Sequence, residues 1–275
     1  MGILSGTGIL DGTGILSGTG IIFQSGILVP PSIDPDAAAY IAAVEAAGAT
    51  VTGAQRTAID TFYLAAKADS YYTSLKRLYL PIWGVTAANA IDMISLTSGT
   101  FNGGVTHGAG FVQGNGTTGY FDFGVSPIAQ GLSVGDHFLI ALSYTAETDG
   151  LECIVGASDG SGDLSLFNYL YDSGTDRINY GAVITTGVII GSQIGSDKKV
   201  FRRLTSGFTT LESRTIAPAG SVSASMYSIA RGTQWHCDNK LGLYGIGLGL
   251  SAATATNFST HLKNLWETCT GLTLP

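Results

Sequence analysis

Acids, hydroxyls, imidazoles and glycines at set separations are where a chain shows its chemistry, and here they are sparse. The glutamates are Glu45, Glu147, Glu152, Glu212 and Glu267, and no segment carries two of them with an aspartate at alternate strand positions. Glycoside hydrolysis on a sandwich fold needs such a set, because the general acid and its partner carboxylate must face one cleft. Gly156-Ala157-Ser158-Asp159-Gly160 matches the G-x-S-x-G elbow of a serine hydrolase and follows an apolar strand. Ser161-Gly162-Asp163 comes next, where the hydrolase needs a helix to present its serine, so a hairpin turn is expected instead. Asp159 and Asp163 offer two carboxylates to a calcium ion that wants more oxygens. His236-Cys237-Asp238 sets three ligand types side by side, but adjacent side chains do not converge on one ion. The segment from Gly191 to Gly195 lacks the Gly-Lys-Ser/Thr of a phosphate loop, and Gly245, Gly247 and Gly249 lie in an apolar strand. No catalytic residue, metal ligand or cofactor is expected, and the chain reads as non-enzymatic. The remaining candidates are aromatic: Trp235, Tyr120, Tyr169 and Tyr171 either offer a ring face to a sugar beside Asn or Asp groups or fill the core.

The totals narrow the class. Of 275 residues, 45% are hydrophobic and 12% charged, and 39 are glycine. That charged share is about half that of an average domain. A surface of Gly, Ser, Thr and Asn suits a β-protein with many turns. The net charge of −7 leaves no footprint for a phosphate backbone, and the only basic cluster is Lys198, Lys199, Arg202 and Arg203, so nucleic acid is not an expected partner. Cys153, Cys237 and Cys269 make no disulfide framework and read as buried thiols. The first basic residue is Arg56, Gly6 stands where myristoylation wants Ser or Thr, and no apolar run reaches the ~18 residues of a membrane span. The expectation is synthesis in the cytoplasm without membrane insertion.

Elements able to position such residues can be read off in order. Asp34 as N-cap with Pro35 at the first helical position predicts a helix over Tyr40, Ile41 and Val44, ending near Gly48. Thr52 with Gln55 predicts a capping box and a second helix showing Ile59, Phe62, Tyr63 and Ala66 on one face. Tyr72, Leu75, Leu78 and Tyr79 predict a third short helix before Pro81. From about Ile94 the texture is strands: Tyr120 to Phe123, His137 to Tyr144, Leu151 to Val155, Leu164 to Tyr171, Val222 to Arg231 and Leu241 to Leu248, separated by turn signals such as Asn115-Gly116 and Asp149-Gly150. Such a series predicts a sandwich. A last helix after Ser251 aligns Phe258, Leu262, Leu265, Trp266 and Cys269, and should pack on it.

The front of the chain follows another rule. Residues 2–31 read GILSGT, GILDGT, GILSGT, GIIFQS and GILVPP. Six is even, so an extended chain puts Ile3, Ile9, Ile15, Ile21 and Ile27 on one side and Leu4, Leu10, Leu16, Ile22 and Leu28 on the other. A ribbon apolar on both faces and rich in glycine has nothing of its own to bury against. These ten residues are therefore expected to oligomerise or anchor the chain.

Beyond the repeat, DPDAAAYIAAVEAAG and TAIDTFYLAAKADSYYTSLKRLYLPIWG resemble a helical module of bacteriophage virion proteins. In those proteins it precedes a concanavalin-A-like, or laminin-G-like, jelly roll. FNGGVTHGAGFVQGNGTTGYFDFGVSP resembles that domain's opening, and CDNKLGLYGIGLGLSAATATNFSTHLKNLWETCTGL its close. The resemblance spans about Asp34 to Leu272 and implies a helical module over 32–92 and a jelly-roll sandwich with a C-terminal helix over 93–275; with the repeat, read separately as a stalk or anchor over 1–31, the chain is expected to be mainly β in three parts. It implies a structural component of a phage virion, a decoration protein or short fibre of head or tail. The expected partners are further copies of the chain, as a homotrimer, and other virion proteins. The alternative is an adhesin that binds host surface polysaccharide through the jelly roll.

Overall fold

Capping chemistry acts over three or four residues, and it sets the helices as the sequence implies. The computed structural model describes residues 33–145, 153–158, 163–167, 178–181, 186–217, 223–230 and 236–275. The repeat residues and Trp235, Tyr169 and Tyr171 lie outside them. Asp34 caps α1 (Pro35–Ala46) by accepting from the N–H groups of Asp36 and Ala37. Thr52 opens α2 (Gly53–Ala68): the Gln55 N–H donates to its hydroxyl, and its own N–H donates to Gln55 Oε1 at 2.8 Å. A single turn, α3 (Thr86–Asn89), and the long α4 (Ala252–Thr270), capped by Ser251, complete the described helices.

The described strands are β1 (Leu75–Tyr79), β2 (Thr100–Asn102), β3 (Thr106–Gly108), β4 (Phe111–Gln113), β5 (Tyr120–Asp122), β6 (Asp136–Ser143), β7 (Cys153–Ser158), β8 (Asp163–Phe167), β9 (Ile178–Gly181), β10 (Gly187–Ile194), β11 (Asp197–Leu204), β12 (Gly207–Thr215), β13 (Tyr227–Ser228) and β14 (Lys240–Gly247). They form an eight-stranded sheet in the order β12-β11-β10-β6-β14-β4-β3, with β1 also on β14, and a six-stranded sheet in the order β2-β5-β13-β7-β8-β9. Asp34–Pro275 make one compact unit. The mainly β sandwich is as the sequence implied.

Alternation along the long strands explains the layering. In β6, Phe138, Ile140 and Leu142 face the helices while Leu139 and Ala141 face the other sheet, and in β10 Val188 and Ile190 alternate with Ile189 in the same way. Both faces of β6 and β10 are therefore covered, which is why these two strands read as largely apolar runs. One cluster joins that sheet to α1, α2 and α4 through Tyr40, Ile59, Phe62, Phe258, Leu262 and Trp266, and each such side chain contributes about 1.5–3 kcal/mol by leaving water. The predicted face of α4 is buried in full. Gly242 makes room beneath it, since a Cβ there would lie 2.2 Å from Trp266 Nε1, whose N–H donates to the Gly110 carbonyl at 3.1 Å.

The third predicted helix is a correction. Only Tyr72–Ser74 turn, as a 3-10 segment, and Leu75–Tyr79 pair with β14 as a strand. A bulge between Leu75 and Arg77 adds one residue, so Leu75 and Leu78 meet the same helical cluster while Tyr79 enters the layer between the sheets. The three-residue spacing that reads as helical is the signature of that bulge. Arg77 is held at 3.1 Å by the fully buried Asp92, which also accepts from the Leu78, Ile94 and Ser95 N–H groups.

Candidate functional site

Among the described residues the packed helices lie on the larger sheet, which leaves the outer face of the six-stranded sheet as the candidate surface for a ligand. Phe121 is fully buried between the sheets, so its strand neighbours Tyr120 and Asp122 point outward and are half-buried. On the adjacent strand Tyr227 lies opposite Asp122, and the buried Ser228 lies opposite Phe121. The rings of Tyr120 and Tyr227 stand 5.5 Å apart at 71°, a corner rather than a flat platform. His236 closes the group 6.1 Å from Tyr120, with its Nδ1–H donating to the Gly119 carbonyl at 3.1 Å. Asn102, opposite Tyr120 on the edge strand, adds an amide at the rim.

The frame around these groups is closely hydrogen-bonded. Asn115 Oδ1 accepts from the N–H groups of Thr117, Thr118 and Gly119 at 3.1, 2.8 and 2.8 Å, so the turn before Tyr120 is closed by one side chain. Gly103, at φ +66°, lets the neighbouring turn touch it, because a Cβ there would lie 2.2 Å from the Thr118 carbonyl. Asp122 is oriented by its own turn, accepting the Gly124 N–H at 2.8 Å. Partial burial, and then the Asp122 carboxylate, hold the Tyr227 hydroxyl above its ordinary pKa, so at neutral pH it stays protonated and able to donate.

Of the sequence-chosen aromatics, Tyr120 stands in this group and the others lie outside the described residues. Sequence reasoning missed Asp122 and Tyr227 as site residues; alternation with the core residue Phe121 was the available signal for the first.

The other motifs resolve otherwise. Ser158 of the elbow motif ends β7 and pairs with Asp163 at the start of β8, so the motif opens an antiparallel strand pair. His236 reaches Gly119, Cys237 is buried and Asp238 is exposed, so these three diverge. Among the described residues no group of three or more His, Cys, Asp or Glu could hold a metal ion. The three cysteines are buried, and burial pushes the Cys269 thiol up to about 12. Glu45 pairs with Arg56, Glu212 with Lys198 and Arg214, and Glu267 with Lys263; Glu147 and Glu152 lie outside the described residues. The basic cluster is dispersed too: Lys199 meets Asp197, Arg202 donates to the Thr186 carbonyl and Arg203 to Ser259. A groove of about 390 Å³ runs between α2 and α4, lined largely by Ala and Thr with His261, whose Nδ1 is 2.8 Å from the Tyr71 hydroxyl. It offers a ligand little directional chemistry. Among the described residues no helix is long and apolar enough to cross a membrane.

No protein-family model matches the sequence, and no curated protein does. Solved structures do match in shape. Domain 4 of AbnA, a GH43 extracellular arabinanase from Geobacillus stearothermophilus solved with arabinotriose, has a TM-score of 0.49 and 15% identity, covering 68% of this chain and 98% of that one. A Trypanosoma rangeli sialidase has a TM-score of 0.46 and 11% identity, covering 76% of this chain and 40% of its own. A further structure of that sialidase gives 0.43 and 12%, covering 77% of this chain and 38% of that one. These proteins bind or act on glycans, and what they share with this chain is the β-sandwich. The expectation of a non-enzymatic chain is corrected by them, because the neighbours are glycoside hydrolases and the fold is one that this enzyme class contains. None of these neighbours is a phage protein.

Proposed function

We propose that this chain is a glycan-binding surface component of a bacteriophage virion, made in the host cytoplasm and carried on the particle. The observation that carries the binding role is the convergence of Tyr120, Tyr227, Asp122 and His236 on the outer face of the six-stranded sheet, held by a turn that Asn115 locks. A pyranose presents an apolar CH face and a rim of hydroxyls, which suits one tyrosine ring with a carboxylate and a phenol beside it. The virion setting is supported by the resemblance over Asp34 to Leu272 and by the Gly-Ile-Leu repeat, which would join the chain into a homotrimer or anchor it to head or tail proteins. A glycan array probed with the full chain should give saturable binding to host-surface polysaccharide. Tyr227→Ala should weaken it at least about tenfold, the scale of losing a buried aromatic contact. Equal binding by this variant would remove the site.

A second reading, a decoration protein or short fibre that only builds the particle, is favoured by the repeat itself, whose ten Ile and Leu side chains carry no hydrogen-bonding group to offer a sugar. Imaged particles carrying the chain at full occupancy, from a protein silent on every glycan, would select it.

A further inference from the structure

We propose that Ile229 is the positioning residue of this face: its left-handed backbone and its branched side chain together hold Tyr227, His236 and the turn before Tyr120 in one arrangement. The inference rests on the glycan-binding reading and names the residue through which that site is assembled. Ile229 has φ +68°. Two substituents on Cβ make that region costly for isoleucine, since the side chain crowds the backbone where glycine would not, so surrounding contacts must hold the residue there. Those contacts come from separate parts of the chain. Ile229 is fully buried; its N–H donates to the Ile154 carbonyl of β7 at 2.8 Å, and its own carbonyl accepts from the Cys237 N–H at 2.8 Å.

Each contact leads to a group on the outer face. Tyr227 lies two residues before Ile229, and the intervening Ser228 donates from its hydroxyl to the same Ile154 carbonyl at 3.1 Å, so bonds from both residues hold β13 against β7. An extended residue would carry β13 onward; the left-handed one ends it after Ser228 and gives its carbonyl to Cys237 instead. The residue before Cys237 is His236, which reaches back to the Gly119 carbonyl beside Tyr120. The side chain makes the remaining link. At Gly114 no Cβ fits, because it would lie 2.3 Å from Ile229 Cγ2 and 2.2 Å from the Cys237 carbonyl oxygen, and Gly114 adjoins Asn115, whose side chain closes the turn before Tyr120. One strained residue therefore meets the segments that carry Tyr227, His236 and Tyr120, and strain of this kind persists where a fixed geometry serves binding.

Leucine and valine at this position separate positioning from packing. Ile229→Leu keeps the buried volume and removes the branch at Cβ that bears against Gly114, whereas Ile229→Val keeps that branch and gives up one methyl group. A residue that only filled space would tolerate the two alike. The measurements are the His236 imidazole resonances of the ligand-free full chain with isotope-labelled histidine, assigned by their loss in His236→Gln, and binding of the same proteins to an array of galactosides, glucosides, arabinosides and sialosides. Thermal melts verify folding. Ile229→Leu should shift the His236 resonances and weaken binding at least about tenfold, while Ile229→Val should leave the resonances in place and binding within about twofold. Wild-type resonances and affinity in Ile229→Leu, or equal losses in the two variants, would overturn the inference and leave the glycan reading standing. An array silent with the folded wild-type chain would remove the glycan reading, and a His236 shift confined to Ile229→Leu would then still support the positioning role.

Discussion

His137 shows how much one residue's surroundings decide. It is fully buried on β6, with Nδ1 3.0 Å from the Ser133 carbonyl, and burial lowers its pKa to about 4. As pH falls below the ordinary value of about 6.5, the unfolded chain takes up a proton that the folded one refuses until near pH 4. Stability that is present at neutral pH is therefore lost across that window, by about 3 kcal/mol for this group. Urea unfolding of His137→Gln from pH 7 to pH 4 should show a pH slope reduced by that amount; an unchanged slope would mean that the imidazole titrates normally. The same scale governs the site. The outward placement of Tyr120 was legible because it alternates with Phe121, which must be core. Tyr227 and Asp122 were not legible as partners, because their pairing is a register between segments more than 100 residues apart, and sequence carries no direct mark of it.

Among elements, the ones read correctly from sequence are those whose signals are local. The caps at Asp34, Thr52 and Ser251 start helices where three or four residues dictate it. β1 escaped because its bulge gives a strand the spacing of a helix. The hairpins from β10 to β12 escaped for a different reason in each strand. The run GVII in β10 is buried on both faces and so lacks alternation, while β12 is largely exposed and β11 hides its apolar pair, Val200 and Phe201, between basic residues. Packing between elements is testable at Gly242. Gly242→Ala drives a methyl into the buried Trp266 ring and should lower unfolding free energy by about 1–3 kcal/mol in chemical denaturation. A neutral result would show that α4 can lift from the sheet at no cost.

Among the described residues of Asp34–Pro275, three layers follow one another: helices cover one face of the larger sheet, and the smaller sheet packs on its other face. Such an arrangement suits a head whose binding surface lies opposite its helical cover. The repeat would then act separately from the head. Deleting residues 2–28 should leave sugar binding per head within about twofold while reducing oligomer mass in light scattering and incorporation into particles; overall avidity should fall with valency. Full particle occupancy without the repeat would contradict its anchoring role.

The most direct measurement is a crystal structure of the full chain soaked with the tightest glycan from the array. The account predicts a sugar ring against Tyr120 or Tyr227 with a hydroxyl within hydrogen-bond reach of the Asp122 carboxylate. A sugar seated elsewhere, such as the groove between α2 and α4, with the outer face of the six-stranded sheet empty, would contradict it.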